Sequence, residues 1–123
     1  MPLVFIIARD WTLRTSVRAE LRERGIDALG MDSPDDAGRA IASNQIPAVI
    51  VLEGTADLAS NPSIRDLVSR VPTILIASRA ERIPIVPGEE GSKPRLGAVL
   101  YRPVRVEEIV SRVLGLLQKG HAA

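Results

Sequence analysis

Short apolar runs of strand length alternate with segments of helical periodicity along most of this chain of 123 residues. The first run, Val4 to Ala8, is continuous and rich in β-branched residues, which is typical of a strand buried on both faces. Leu13, Val17 and Leu21 follow at intervals of four residues, and this spacing predicts an amphipathic helix. Further strands are predicted at residues 26–31, 48–52, 73–77 and 97–101, and further helices at Ser33, at Asn61 and after Pro103.

An alternation of this kind favours parallel strand pairing, because right-handed crossovers place helices on both faces of one sheet. The sequence therefore predicts an α/β fold with a doubly wound, five-stranded parallel sheet. In such folds, functional sites lie at the carboxyl ends of the strands. The residues at the ends of the predicted strands, which we expect along one rim, are Arg9, Asp10, Glu53, Ala77, Ser78 and Arg102.

Composition narrows the classes of function. The 16 Lys and Arg nearly balance the 15 Asp and Glu, so the net charge of +1 gives no reason to expect a nucleic-acid partner. Cysteine is absent and His121 is the single histidine, which argues against thiolate or histidine metal sites and against a Ser-His pair. The opening apolar run lacks the features of a signal peptide, and no run is long enough to span a membrane. We expect a cytoplasmic protein with one domain, residues 1–120, and a tail, residues 121–123.

One long stretch carries a resemblance to a known family. The sequence GAVLYRPVRVEEIVSRVLGLL, starting at Gly97, is similar to the Gly-Ala, strand, Lys-Pro and final amphipathic helix of response-regulator receiver domains. The strand that leads from Pro47 into Glu53, and the spacing between Arg9 and Glu53, agree with the same family. The chain thus resembles a CheY-like, flavodoxin-like receiver of bacterial two-component signalling over essentially its whole length.

The resemblance assigns the phosphorylation site to positions whose chemistry has changed. Receivers bind Mg²⁺ with a pair of acids after the first strand, and the matching positions are Ala8 and Arg9, with Asp10 next to them. Mg²⁺ needs oxygen ligands, and Arg9 brings a permanent positive charge instead. Glu53 stands at the position of the phosphoacceptor aspartate and is one methylene longer, which displaces its carboxylate from in-line geometry. The resemblance therefore implies a degenerate acidic pocket without a metal.

The switch positions of the family have changed too. The hydroxyl residue that ends the fourth strand is matched by Ala77, and the aromatic residue of the fifth strand by Val99. Arg102 takes the place of the lysine that pairs with the phosphoryl group, keeping its charge but not its shape. A glutamate at the acceptor position can imitate a phosphorylated aspartate in receivers, but these changed partners weaken that interpretation here.

Glu53 follows five apolar residues, which raises the question of its role. One hypothesis is that its carboxylate makes charge-assisted hydrogen bonds with Arg9 and Arg102, in the space that Mg²⁺ and phosphate occupy in active receivers. The alternative is a solvated acid at the end of a strand.

The segment from Ser78 to Gly97 departs from the family pattern. Receivers carry their fourth helix here, but Pro84, Pro87 and Pro94, with glycines between them, exclude a continuous helix. We expect that this helix is lost or replaced by a Pro/Gly-rich loop, so that the surface on this side is either remade for a different partner or without a role.

Two features near the amino terminus are assigned structural roles. Arg14, Arg18 and Arg22 recur on one face of the first predicted helix beside glutamates, and we interpret them as a solvated face. Trp11, the single tryptophan, is expected to pack at the end of the first strand, the alternative being that it caps the pocket or anchors a partner.

These observations predict a pseudo-receiver: a noncatalytic, nonphosphorylated interaction module of bacterial two-component-type signalling. We expect no enzymatic activity and no cofactor, and we expect protein partners, a homodimer being one such assembly, rather than nucleic acid or membrane. Two alternatives remain open. The chain is either a working receiver phosphorylated on another acid, such as Asp10 or Asp57, or a flavodoxin-like binder of a small ligand. The latter would use Thr12, Thr15 and Ser16.

Overall fold

The computed structural model describes residues 2–80 and 96–121. The strands form one sheet in the order β2-β1-β3-β4-β5, and every neighbouring pair is parallel. This confirms the predicted doubly wound α/β fold, and the strand order is that of flavodoxin-like proteins. The strands are β1 (Leu3–Ile7), β2 (Asp27–Met31), β3 (Val49–Glu53), β4 (Thr73–Ala77) and β5 (Leu96–Tyr101).

The helices described are α1 (Trp11–Glu23), α2 (Pro34–Ala42), α3 (Ala56–Ser60), α4 (Pro62–Arg70) and α5 (Val106–His121). The hydrophobic pattern did not predict α3, because a helix of five residues is too short to show a period. α5 runs through His121, one residue into the predicted tail. Residues 81–95, which make up most of the predicted Pro/Gly-rich loop, lie outside the described residues. No described helix is long and apolar enough to cross a membrane.

Two apolar clusters hold the helices against the sheet. On one face, Val17 and Leu21 of α1 and Ile109 of α5 pack on alternate residues of the strands, and all three are fully buried. On the other face, α2, α3 and α4 pack on the intervening residues, which include the fully buried Phe5 of β1. Since side chains alternate along a strand, each strand supplies both clusters, which explains its nearly unbroken apolar sequence.

Polar residues at the helix starts fit their positions to different degrees. Asn61 is the N-cap of α4, and its side chain accepts hydrogen bonds from the N–H groups of Ser63 and Ile64. Pro62 follows in the first turn of the helix. Ser33 has the predicted N-cap position before α2, but its side chain makes no capping hydrogen bond. Asp10 caps α1 by accepting from the N–H of Leu13.

Two of the three arginines in the predicted solvated face of α1, Arg14 and Arg18, are partly buried instead, whereas Arg22 is exposed as predicted. Arg14 Nη1 donates to the carbonyl oxygen of Ala8 at 2.6 Å, and Arg18 Nε donates to that of Ala28 at 3.2 Å, both in part-buried positions. Ala28 belongs to β2, an edge strand whose free carbonyl groups need partners. The long side chains of these arginines extend from α1 to main-chain carbonyl groups at the sheet. The spacing of the arginines along the helix is the same whether their side chains make such contacts or lie in solvent.

Candidate functional site at the carboxyl ends of the strands

A cleft of about 280 Å³ opens at the rim where the carboxyl ends of β1, β2 and β3 meet. It combines two guanidinium groups and two carboxylates with small residues from the turn after β3. It is lined by Ile7, Ala8, Arg9, Asp32, Glu53, Gly54, Thr55, Ala56 and Arg102. This is the rim at which the strand ends were expected to converge.

Glu53 is the last residue of β3 and its carboxylate lies inside the rim. One oxygen, Oε1, accepts hydrogen bonds from the main-chain N–H groups of Arg9 at 3.0 Å and Asp10 at 3.1 Å. The side chain is 11% exposed, so Glu53 is not the solvated acid of the alternative hypothesis. Gly54 follows with φ of +86°, a conformation that side chains disfavour, and its N–H donates to the carbonyl of Ile76 at 2.7 Å.

The second oxygen of Glu53 forms an ion pair with Arg102. Oε2 lies 2.9 Å from Arg102 Nη2, which is the pairing that one of the two hypotheses for Glu53 contained. Because the Arg102 side chain is 42% exposed, water screens the pair and we expect it to contribute about 1 kcal/mol or less. The main-chain N–H of Arg102 also donates to the carbonyl of Ala77 at 2.9 Å, which fixes the turn after β5 beside β4.

Arg9 reaches Glu53 in a different way from the one predicted. The contact comes from its main-chain N–H and not from its guanidinium group, and Arg9 is exposed. Its neighbour Ala8 is 2% exposed and presents a methyl group. The described residues contain no group of three or more His, Asp or Glu side chains that could hold a metal ion.

The two switch-equivalent positions carry apolar side chains. Ala77 is fully buried at the end of β4, and Val99 packs against the apolar cluster on the α2–α4 face. Tyr101, two residues after Val99, is 40% exposed and lies under the guanidinium of Arg79, 5.4 Å from its ring centroid. Neither switch-equivalent position brings a hydroxyl group or an aromatic ring to the cleft.

Comparison with known structures identifies the fold. The chain is similar to the receiver domain of Francisella response regulator 1452, at 20% identity and TM-score 0.72, over 98% of this chain and 99% of that one. It is also similar to the N-terminal domain of a response regulator/sensory box/GGDEF 3-domain protein from Carboxydothermus hydrogenoformans, at 12% identity, TM-score 0.73 and coverages of 98% and 97%. A response regulator receiver protein from Burkholderia phymatum aligns at 19% identity, TM-score 0.68 and 96% of each chain. The chain has the receiver-domain fold.

No protein-family model and no curated protein matches the sequence. The likeness to receivers therefore lies in the backbone arrangement and in the few positions that the sequence comparison identified.

Of the two alternative acceptors, the structure describes the side chain of Asp10 only. Asp10 Oδ1 accepts from the N–H of Leu13 and thus caps α1. Asp57 lies in α3, and its side chain is outside the described part of the structure. For the small-ligand alternative, the hydroxyl of Thr15 donates to the carbonyl of Trp11 at 2.9 Å within α1.

Sequence reasoning missed two features of this rim. Asp32 lines the cleft, and the rule that site residues follow strands would have selected it, because it comes directly after β2. Trp11 begins α1 and is 67% exposed, so the expectation of ordinary packing was wrong. The sequence around a single aromatic residue at a strand end does not indicate whether its side chain is packed or exposed.

Proposed function

We propose that this chain is a noncatalytic, nonphosphorylated receiver-like domain that acts through protein contacts in bacterial two-component-type signal transduction, in the cytoplasm. The observation that carries the proposal is the state of the Glu53 carboxylate. One oxygen accepts two main-chain hydrogen bonds and the other pairs with Arg102. The group at the acceptor position thus serves as an internal link between β1, β3 and β5.

Phosphoryl transfer to this carboxylate has little support from its surroundings. The reaction depends on an in-line nucleophile and on cations that neutralise the transferring group. Glu53 is held by three donors, and Ala8 and Arg9 supply no oxygen ligands beside it. An attack on phosphorus would first have to break these contacts, and no metal would offset that cost.

A contact function is supported by the rim itself. The loop after β1 and the turn after β5 both bind Glu53, so the rim is organised before any partner arrives. Trp11 extends from this rim with 67% of its surface exposed, and tryptophan is enriched among residues that dominate protein interfaces. With a net charge of +1, the chain offers weak attraction to nucleic acid, so a protein partner, including a second copy of the chain, fits better.

A magnesium titration tests the proposal. Millimolar Mg²⁺ should leave the fluorescence of Trp11 unchanged and produce no binding heat in calorimetry, because Ala8 and Arg9 stand where receivers have their pair of metal-binding acids. The matched control is the triple variant Arg9→Asp, Glu53→Asp, Arg102→Lys, which restores an acid beside Asp10 and should show a weak, saturable response. A saturable response of the unmodified protein to Mg²⁺ contradicts the proposal.

A further inference from the structure

Arg14 meets the loop between β1 and α1 from the side opposite Glu53. Its Nη1 donates to the carbonyl oxygen of Ala8 at 2.6 Å, in a part-buried position. Glu53 Oε1 accepts from the N–H of Arg9 at 3.0 Å. The carbonyl of Ala8 and the N–H of Arg9 belong to the same planar peptide group. One rigid peptide plane is therefore held at its oxygen by a guanidinium and at its hydrogen by a carboxylate.

These two contacts reinforce each other. Rotating the plane to release either one also turns the other group away from its partner, because a trans peptide points its C=O and N–H in opposite directions. A cation on the carbonyl also polarises the amide and strengthens the N–H as a donor. Arg14 thus supports the hydrogen bond to Glu53 without touching Glu53.

Gly30 in β2 gives the Arg14 side chain its path. A Cβ atom at Gly30 would lie 2.9 Å from Arg14 Cγ and 3.1 Å from Cδ, so the stem of Arg14 runs across the bare backbone of this strand. Any side chain at this position would displace the stem close to its root. The orientation of the loop between β1 and α1 therefore depends on the presence of glycine at position 30 in β2, which does not line the cleft.

We propose that Arg14 is a positioning residue that orients the Ala8–Arg9 peptide toward Glu53, and that Gly30 is the position that permits it. This role goes beyond the proposed function and holds whether or not the carboxylate accepts a phosphoryl group. It links the packing of α1 on the β2 edge to the arrangement of the rim.

Amide hydrogen exchange and proton chemical shifts from NMR test this directly at Arg9. Arg14→Leu should accelerate exchange of the Arg9 amide about tenfold and move its proton upfield, with a smaller effect at Asp10. Arg18→Leu is the matched control, because Arg18 also donates from α1 to a main-chain carbonyl but at Ala28. It should leave the Arg9 amide unchanged.

Gly30→Ala supplies a second, independent variant. It should accelerate exchange of the Arg9 amide as Arg14→Leu does. In a protein that already carries Arg14→Ala, Gly30→Ala should not change this exchange rate further, since the Arg14 stem is no longer there to be displaced. Gly38→Ala is the control glycine, because a Cβ there meets nothing within 4 Å. Exchange at Arg9 within about twofold of wild type in Arg14→Leu, or an equal effect from Arg18→Leu, overturns the proposal. The magnesium titration reads out the proposed function separately.

Discussion

Replacing Glu53 by alanine should destabilise the protein by about 2 kcal/mol. The substitution removes the acceptor for the Arg9 and Asp10 N–H groups and the partner of Arg102. Hydrogen bonds to a charged group contribute about 1.5–3 kcal/mol each, but both donor residues are exposed and water can replace the carboxylate. The ion pair adds about 1 kcal/mol or less because Arg102 is 42% exposed. At roughly 4 °C per kcal/mol for a domain of this size, the Tm should fall by about 8 °C.

Urea unfolding followed by far-UV circular dichroism measures the effect. Glu53→Gln should cost about half as much as Glu53→Ala, since an amide oxygen still accepts hydrogen bonds without the charge. Glu20→Gln is the matched control, because Glu20 forms an exposed ion pair with Arg24 at 3.3 Å and should change stability by less than about 0.5 kcal/mol. A loss of less than about 0.5 kcal/mol for Glu53→Ala would refute the reasoning and return Glu53 to the role of a solvated acid.

Two further predictions concern other parts of the fold. Gly54→Ala should lower the free energy of unfolding by about 1 kcal/mol or more. A Cβ at this position would contact no other atom, but φ at Gly54 is +86°, a backbone conformation that is strained for alanine. Equal stability of the variant and wild type in urea would refute this. The hydrogen bond from Arg39 lowers the pKa of Asp36, so Arg39→Leu should return that pKa toward its usual value in an NMR titration. A carboxyl group whose pKa is lowered on folding stabilises the protein at pH values above its pKa in the unfolded state. This stabilisation is lost as the pH falls through the pKa of the folded state. Since the variant lacks it, acidification should reduce the stability of the variant less than that of wild type. An unchanged pKa for Asp36 in the variant would contradict the assignment.

The fold could be predicted from the sequence because its central strands, β1, β3 and β4, are buried on both faces. A short, nearly unbroken apolar run such as residues 73–77 has few other interpretations when a predicted helix precedes it and a Pro/Gly-rich segment follows it, and β4 has these bounds in the structure. The strand ends then placed Glu53 and Arg102 at one rim, where the ion pair of one of the two hypotheses forms. α3 was not predicted, because a helix of five residues is too short to show a periodic hydrophobic pattern. The loss of the helix between β4 and β5 stays a prediction, since residues 81–95 lie outside the described part of the chain.

The details of the site could not be predicted because main-chain groups make much of it. Sequence patterns give the charge of Arg9 but not the direction of its N–H, which is the group that Glu53 binds. In the same way, the spacing of Arg14 and Arg18 gives a helix face, whereas their long stems cross to carbonyl oxygens of neighbouring segments. Such contacts depend on tertiary packing that propensity and periodicity do not contain.

The most direct test of the central claim is incubation of the unmodified protein with acetyl phosphate and Mg²⁺, followed by intact mass measurement. Our account predicts no mass increase of one phosphoryl group, because the Glu53 carboxylate is already held by three donors and Ala8 and Arg9 replace the pair of metal-binding acids. Glu53→Asp alone should also remain unlabelled since Ala8 and Arg9 still supply no metal ligands, whereas Arg9→Asp, Glu53→Asp and Arg102→Lys together should show weak labelling. Phosphorylation of the unmodified protein at Glu53 would contradict the account and identify the chain as an active receiver with an unusual acceptor.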